Sequence, residues 1–249
     1  MLAAAENGLL RALSSTDWAI LRPVLEEWSG PPGTILYEPG DIVQFAYFPR
    51  MLSLISYFVV LSDGRSIETA LIGHEGACGG IVSQGRLPAY ARAQVQAGGS
   101  FLRIDLNSLG KAKKRSPTLH DLFARYADCL MAQIFQSVAC NAAHSIEQRT
   151  AKWLLAAVEH SGTFDLTLTQ EQLATMLGVG RSYMSRVVQS MKEDAVIETR
   201  RGGIGVRDVR KLRSRACECN AAVNRHFKQV LKGTYAAEAA SARRSSVLR

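Results

Sequence analysis

The sequence predicts an α+β protein in three successive parts, and three observations carry the prediction. Residues 34–105 hold short runs rich in β-branched and aromatic residues, separated by glycine turns. Residues 118–161 contain no glycine and no proline. The stretch Leu168 to Met191, LTQEQLATMLGVGRSYMSRVVQSM, spaces its apolar residues as two short helices folded about Gly178. With 249 residues and 47% apolar composition, the chain can bury a core as one large domain or two small ones.

The N-terminal residues 6–28 show helical spacing in Leu9, Leu10, Leu13, Trp18, Leu21 and Leu25, with Ser15 or Thr16 as cap, and Pro31, Pro32 and Gly33 end the pattern. The runs ILYE, FAYFP, LISYFVVL, SIETALI, ARAQVQA and SFLRI follow as strands, divided by PG, SDG, GHEG and AGG. Many short strands with such turns make a barrel, a roll or a sandwich. The longest apolar run, LISYFVVL, is too short to cross a bilayer, and the N-terminus lacks the basic and apolar regions of an export signal. A cytoplasmic location with no membrane contact is expected.

From Pro117 a single long helix is expected, with an apolar seam of Leu119, Leu122, Phe123, Tyr126, Leu130, Ile134 and Val138. A compact domain rarely needs one helix this long, so self-association is the favoured use of the seam, and packing on the chain's own β-rich part is the other. Ser145 with Gln148 three places on has the form of a capping box, so a new helix starts there and runs through Trp153, Leu154 and Leu155 to about His160. The expected divisions are residues 1–116, the dimerisation helix 117–143, a C-terminal unit 145–215, and a helix with a basic tail over 216–249.

In the quoted stretch, Thr169 caps a helix over 170–177 that buries Leu173, Ala174 and Leu177. Gly178 supplies a left-handed turn, and a second helix over 181–191 buries Met184, Val187, Val188 and Met191. Arg181, Ser182, Ser185, Arg186 and Gln189 then share an outer face, and with Thr169 they are the candidate DNA contacts of the two helices. Arginine can fork onto guanine and glutamine can pair with adenine in a major groove, while serine hydroxyls reach phosphate or base edges. Next, AVIETRRGGIGVRD reads as a hairpin whose Arg200 and Arg201 flank the turn and would meet phosphates.

Charge supports this location. Residues 1–160 carry 14 basic and 14 acidic side chains, whereas residues 161–249 carry 16 and 8, so the net charge of +8 lies entirely in the C-terminal third. Five cysteines, at positions 78, 129, 140, 217 and 219, form no CxxC pair, which fits a reducing compartment. Cys217 and Cys219 are expected within one helix, where residues two apart do not share a face, so joint ligation would require the helix to end. They are read as structural, and no metal and no cofactor is expected. No Ser-His-Asp set, paired carboxylates or HxxxH stands out, which argues against an enzyme with catalytic residues.

In this order of parts the chain resembles the Crp/Fnr-type bacterial transcription regulators over residues 9–215. QEQLATMLGVGRSYMSRVVQSMKEDAVI is the most specific segment, and PPGTILYEPGD resembles the family's opening β-turn segment. The resemblance implies a cyclic-nucleotide-binding-like β-roll, a long dimerisation helix and a winged helix-turn-helix. It also implies a homodimer on a two-fold symmetric double-stranded operator, in contact with RNA polymerase. Gly180 stands where relatives have a capping serine and Ser182 where a base-contacting glutamate is common, so the half-site should differ from the family's usual one.

The resemblance also implies how the chain departs from nucleotide-responsive relatives. The places of their phosphate-binding Arg-Ser pair and ribose-binding glutamate hold Leu87-Pro88 and Gly80, with Arg86 one place away. Ile134 and Phe135 stand where relatives offer hydroxyls to adenine. Control by cyclic AMP is therefore not expected, and the effector is unassigned. The oxygen-sensing branch holds an iron–sulfur cluster on N-terminal cysteines, whereas the first cysteine here is Cys78. The competing reading is a haem or small-molecule sensor with His74 and Cys78 as axial ligands, whose basic C-terminal part binds another partner.

Overall fold

The computed structural model describes residues 6–81 and 87–232. Arg86 and the basic tail beyond Lys232, both named above, lie outside the described residues.

Two short helices, α1 (Gly8–Arg11) and α2 (Ser15–Leu21), open the chain. They are capped by Asn7 and by Ser14, whose hydroxyl oxygen accepts from the Asp17 amide; Ser15 and Thr16 lie inside α2. The helical pattern stops well before residue 28. A 3-10 turn at Arg22–Val24 contains Pro23, and Glu26–Gly30 becomes strand β1, whose Trp28 packs its ring 5.3 Å from both Tyr47 and Phe101. Burying an aromatic in the sheet outweighs the local helical spacing.

The six anticipated runs form β2 (Ile35–Tyr37), β3 (Phe45–Pro49), β4 (Leu54–Val60), β5 (Ser66–Ile72), β6 (Arg92–Ala97) and β7 (Gly99–Asp105). They pair antiparallel in two sheets, ordered β1-β7-β3 and β2-β6-β4-β5, which face each other as a roll. Its interior is occupied by Tyr37, Tyr47, Ile55, Ile72, Val95 and Phe101, all buried. Helix α3 (Leu106–Arg115), capped by Asp105, then leads into α4 (Pro117–Ala143).

At 27 residues α4 spans about 40 Å. Its apolar seam divides. Leu119, Leu122, Phe123 and Tyr126 are buried in the protomer's own core with Phe48, Leu102 and Ile104, and the Tyr126 hydroxyl both accepts from the Ala77 amide at 2.9 Å and donates to the Ala77 carbonyl at 3.1 Å. Those four side chains are not available to a partner, which corrects their assignment to dimerisation. Leu130 is half-buried against the same core, while Met131, Ile134, Phe135 and Val138 are exposed. The seam drifts around the helix because 3.6 residues per turn do not match its spacing, so its later members turn away from the core.

The remaining elements are α5 (Ile146–Ser161), β8 (Asp165–Leu166), α6 (Gln170–Leu177), α7 (Arg181–Glu193), β9 (Ile197–Arg200), β10 (Gly203–Val206), α8 (Val209–Arg215) and α9 (Cys219–Val230). All of these except α9 share one hydrophobic cluster with Leu54, Phe58 and Leu71 of the roll, so the C-terminal unit is docked on sheet β2-β6-β4-β5. Helix α9 returns along α4, with Phe227 edge-on to Tyr126 at 6.3 Å. Cys217 and Cys219 do not share a helix: α8 ends at Arg215 and Ala216 is extended before α9 begins at Cys219. No helix among the described residues is long and apolar enough to cross a membrane.

Candidate nucleic-acid interface

Two capping boxes form as side-chain chemistry dictates. Ser145 and Gln148 close the start of α5, and Thr169 and Gln172 the start of α6. Thr169 therefore uses its hydroxyl oxygen to accept from the Gln172 amide at 3.1 Å. At the end of α6, Gly178 adopts φ 69°, a left-handed conformation that costs a residue with Cβ far more than glycine. Gly180 then caps α7 without a side-chain bond, and its carbonyl accepts from the Tyr183 and Met184 amides at 3.1 Å.

Helix α7 buries Met184, Val187, Val188 and Met191 and exposes Arg181, Ser182, Arg186 and Gln189 together on the opposite side. Ser185 differs from this set: it is half-buried and donates to the Gln170 side-chain carbonyl at 3.2 Å, so it ties α7 to α6. Tyr183 was missed by sequence reasoning. It is exposed, and the Arg186 guanidinium lies 5.4 Å from its ring centroid, a contact foreshadowed only by their three-residue spacing.

The hairpin of β9 and β10 turns at Arg201 and Gly202, with Gly202 at φ 75°. Arg201 is exposed at its tip. Arg200 is engaged by two carboxylates, Asp165 and Glu198. Strand β8 pairs with β10 and puts Asp165 beside the hairpin. This pairing lowers the charge Arg200 can offer a phosphate. Between α6, α7 and the hairpin lies a cleft of about 370 Å³ bordered by Thr169, Arg181, Ser185 and Arg200.

Residues 148–215 match the Crp-like helix-turn-helix domain. This unit is a Crp-like helix-turn-helix domain. Over 77–83% of its length the chain has the fold of solved Crp/Fnr-family regulators. It is similar to FixK2 from Bradyrhizobium japonicum (16% identity, TM-score 0.65, covering 78% of this chain and 98% of that one). It is also similar to CLP from Xanthomonas campestris, described as a c-di-GMP responsive global regulator (13%, TM-score 0.62, 78% and 100%). A third similar structure is a CooA mutant from Carboxydothermus hydrogenoformans (16%, TM-score 0.55, 79% and 89%). Comparison with curated protein sequences finds no match.

The Crp-like domain is fastened to the roll by polar contacts as well as by its core. Glu68 of β5 accepts from the Trp153 indole N–H at 2.7 Å and from the Ser56 hydroxyl at 2.8 Å. Burial pushes its carboxyl up to about 7 despite these donors. Nearby, Glu75 and His160 pair at 2.5 Å. Burial opposes both charges, but their mutual attraction and hydrogen bond win, holding the Glu75 carboxyl below its usual value and the His160 imidazole above.

His74 donates from Nδ1 to the His160 carbonyl, whereas the buried Cys78 thiol faces the Tyr37 hydroxyl at 3.5 Å. The two do not aim at a shared site. A Cβ at Gly80 would come 2.6 Å from Leu106 Cδ1, so an acidic side chain there would displace Leu106. Leu87 is exposed and Pro88 bridges to Ile42.

Proposed function

We propose that the protein is a sequence-specific transcription regulator that binds double-stranded DNA as a homodimer and does not depend on cyclic AMP. The observation that carries DNA reading is the outer face of α7: Arg181, Ser182, Arg186 and Gln189 are exposed together, on a helix whose other side is locked into the core. The 13-residue helix is about 20 Å long, within what a major groove admits. Thr169 and Ser185 support it through the α6 cap and the α6–α7 bond, and Tyr183 stiffens Arg186. On the hairpin, Arg201 is the stronger candidate for phosphate contact, and Arg200 contributes less because Asp165 and Glu198 already meet its charge.

The homodimer reading rests on Met131, Ile134, Phe135 and Val138, spaced three, one and three apart on one stripe of α4 and exposed in the protomer. Cyclic AMP independence rests on the phosphate site. Leu87 and Pro88 offer no cation, and an unpaired phosphate in a partly closed roll is costly. Selection of bound duplexes from a random pool tests the reading. A two-fold symmetric consensus without added nucleotide is expected; no enrichment over the starting pool would refute it.

A further inference from the structure

Cys140 near the end of α4, His144 at its C-cap, Cys217 in the break between α8 and α9, and Cys219 at the start of α9 converge on one point. Their ligating atoms all lie within 4.8 Å of one another, and the three cysteines are buried. They form a separate small cluster with no aliphatic member. The Cys140 and Cys217 sulfurs are 3.6 Å apart, and Cys219 Sγ is 3.6 Å from His144 Nδ1. A disulfide would bring sulfurs to about 2.05 Å. Bonds of about 2.3 Å to sulfur and 2.0 Å to nitrogen at tetrahedral angles put ligand atoms roughly 3.5–3.8 Å apart. These two separations are those of a tetrahedral edge, and the remaining pairs lie within 4.8 Å.

We propose that these four side chains form a closed Cys₃His site for a single divalent cation of the zinc type. The surroundings are organised for one. His144 turns Nδ1 to the cluster while its Nε2 lies 3.6 Å from the Glu218 carboxylate, the outer partner that fixes a ligating imidazole. The Gln136 side-chain amide donates to Cys219 Sγ at 3.2 Å. Three thiolates, a neutral imidazole and a divalent ion carry one net negative charge, and Arg149 and Lys152 of α5 are close enough to act on Cys140. Soft sulfur donors with one imidazole select zinc over magnesium or calcium. Four protein ligands leave no open position, so the site is structural.

Its location gives the ion a task. His144 ends α4 and Ser145 caps α5, so the site straddles the junction between the long helix and the Crp-like domain. Asn220 adds a bond from α9 to the Lys152 carbonyl at 2.9 Å. A bound ion would fix the α4–α5 angle and hold α9 across it.

Cobalt(II) titration of the reduced full-length protein provides the test. One cobalt per chain is expected, with the intense visible bands of a tetrahedral site and near-ultraviolet thiolate charge transfer, all erased by zinc. Zinc removal should lower Tm, and Cys217→Ser should lose the bands while Cys129→Ser keeps them. The exposed Glu218 allows a milder variant: Glu218→Gln should bind cobalt about 10–100-fold more weakly with the fold intact. Absence of tetrahedral bands in the folded, reduced wild type would overturn the site. A Cys140–Cys217 disulfide in protein kept under reducing conditions, or equal cobalt affinity in Glu218→Gln and wild type, would do so too.

Discussion

Replacing Phe135 by alanine should dissociate the protein while leaving each protomer folded. Phe135 and Val138 are each 66% exposed in the protomer, on the C-terminal half of α4. A phenylalanine presents roughly 150–250 Å², so about 100–150 Å² of Phe135 remains to be covered. At about 25 cal/mol per Å², covering it contributes roughly 3 kcal/mol per protomer, and two-fold symmetry doubles the effect. Alanine keeps part of that area, so the dimer should weaken by about 4–5 kcal/mol, or roughly 10³-fold or more in Kd. Sedimentation equilibrium over a concentration series reads this directly. Leu119→Ala in the same helix serves as contrast: it lies in the protomer core, so it should cost about 2–5 kcal/mol of stability with little change in Kd. Dimers of undiminished affinity in Phe135→Ala, or a monomeric wild type at micromolar concentration, would refute the reasoning.

Arg186→Ala should relax base preference and cost ~1–3 kcal/mol on the selected site, whereas Arg201→Ala should weaken all duplexes alike and reduce the salt slope by about one. Arg200→Ala should change the slope less than Arg201→Ala, because Asp165 and Glu198 already pair with it; fluorescence anisotropy across a salt series compares the three. Glu68 has a folded-state carboxyl raised to about 7, so the native state holds its proton more tightly than the unfolded chain. Stability should therefore fall as pH rises from about 4.5 through 7, by at most about 3 kcal/mol, and Glu68→Gln should flatten that fall while keeping an acceptor for Trp153; urea denaturation at pH 5, 6, 7 and 8 measures it, and parallel curves for the two proteins would contradict the assignment. Calorimetry with cyclic AMP and cyclic GMP at millimolar levels should show no saturable heat, and a micromolar Kd for either would sink the reading of the phosphate site.

Helices α5, α6 and α7, the capping box at Ser145, the cap at Thr169, the left-handed turn at Gly178 and six strands of the roll were legible in the sequence. Each is set by contacts within a few residues: a hydroxyl meeting an amide three places on, a glycine at positive φ, an apolar period matched to helix or strand. The fold class followed from their order. Tertiary structure decided what those side chains face. The seam of α4 reads as one stripe in sequence, but its first half is covered by Phe48, Leu102 and Ile104 from distant strands, leaving only the second half to a partner. Arg200 looks like a free cation until β8 brings Asp165 alongside it. The cysteines at 140, 217 and 219 looked unrelated because a helix was expected to run through the last two. Cys140 and His144, four apart on α4, were the sign that periodicity offered. Their convergence depends on α9 folding back along α4, a long-range packing event in which buried area, summed over the whole interface, outweighs the helical preference of the few residues where the chain breaks.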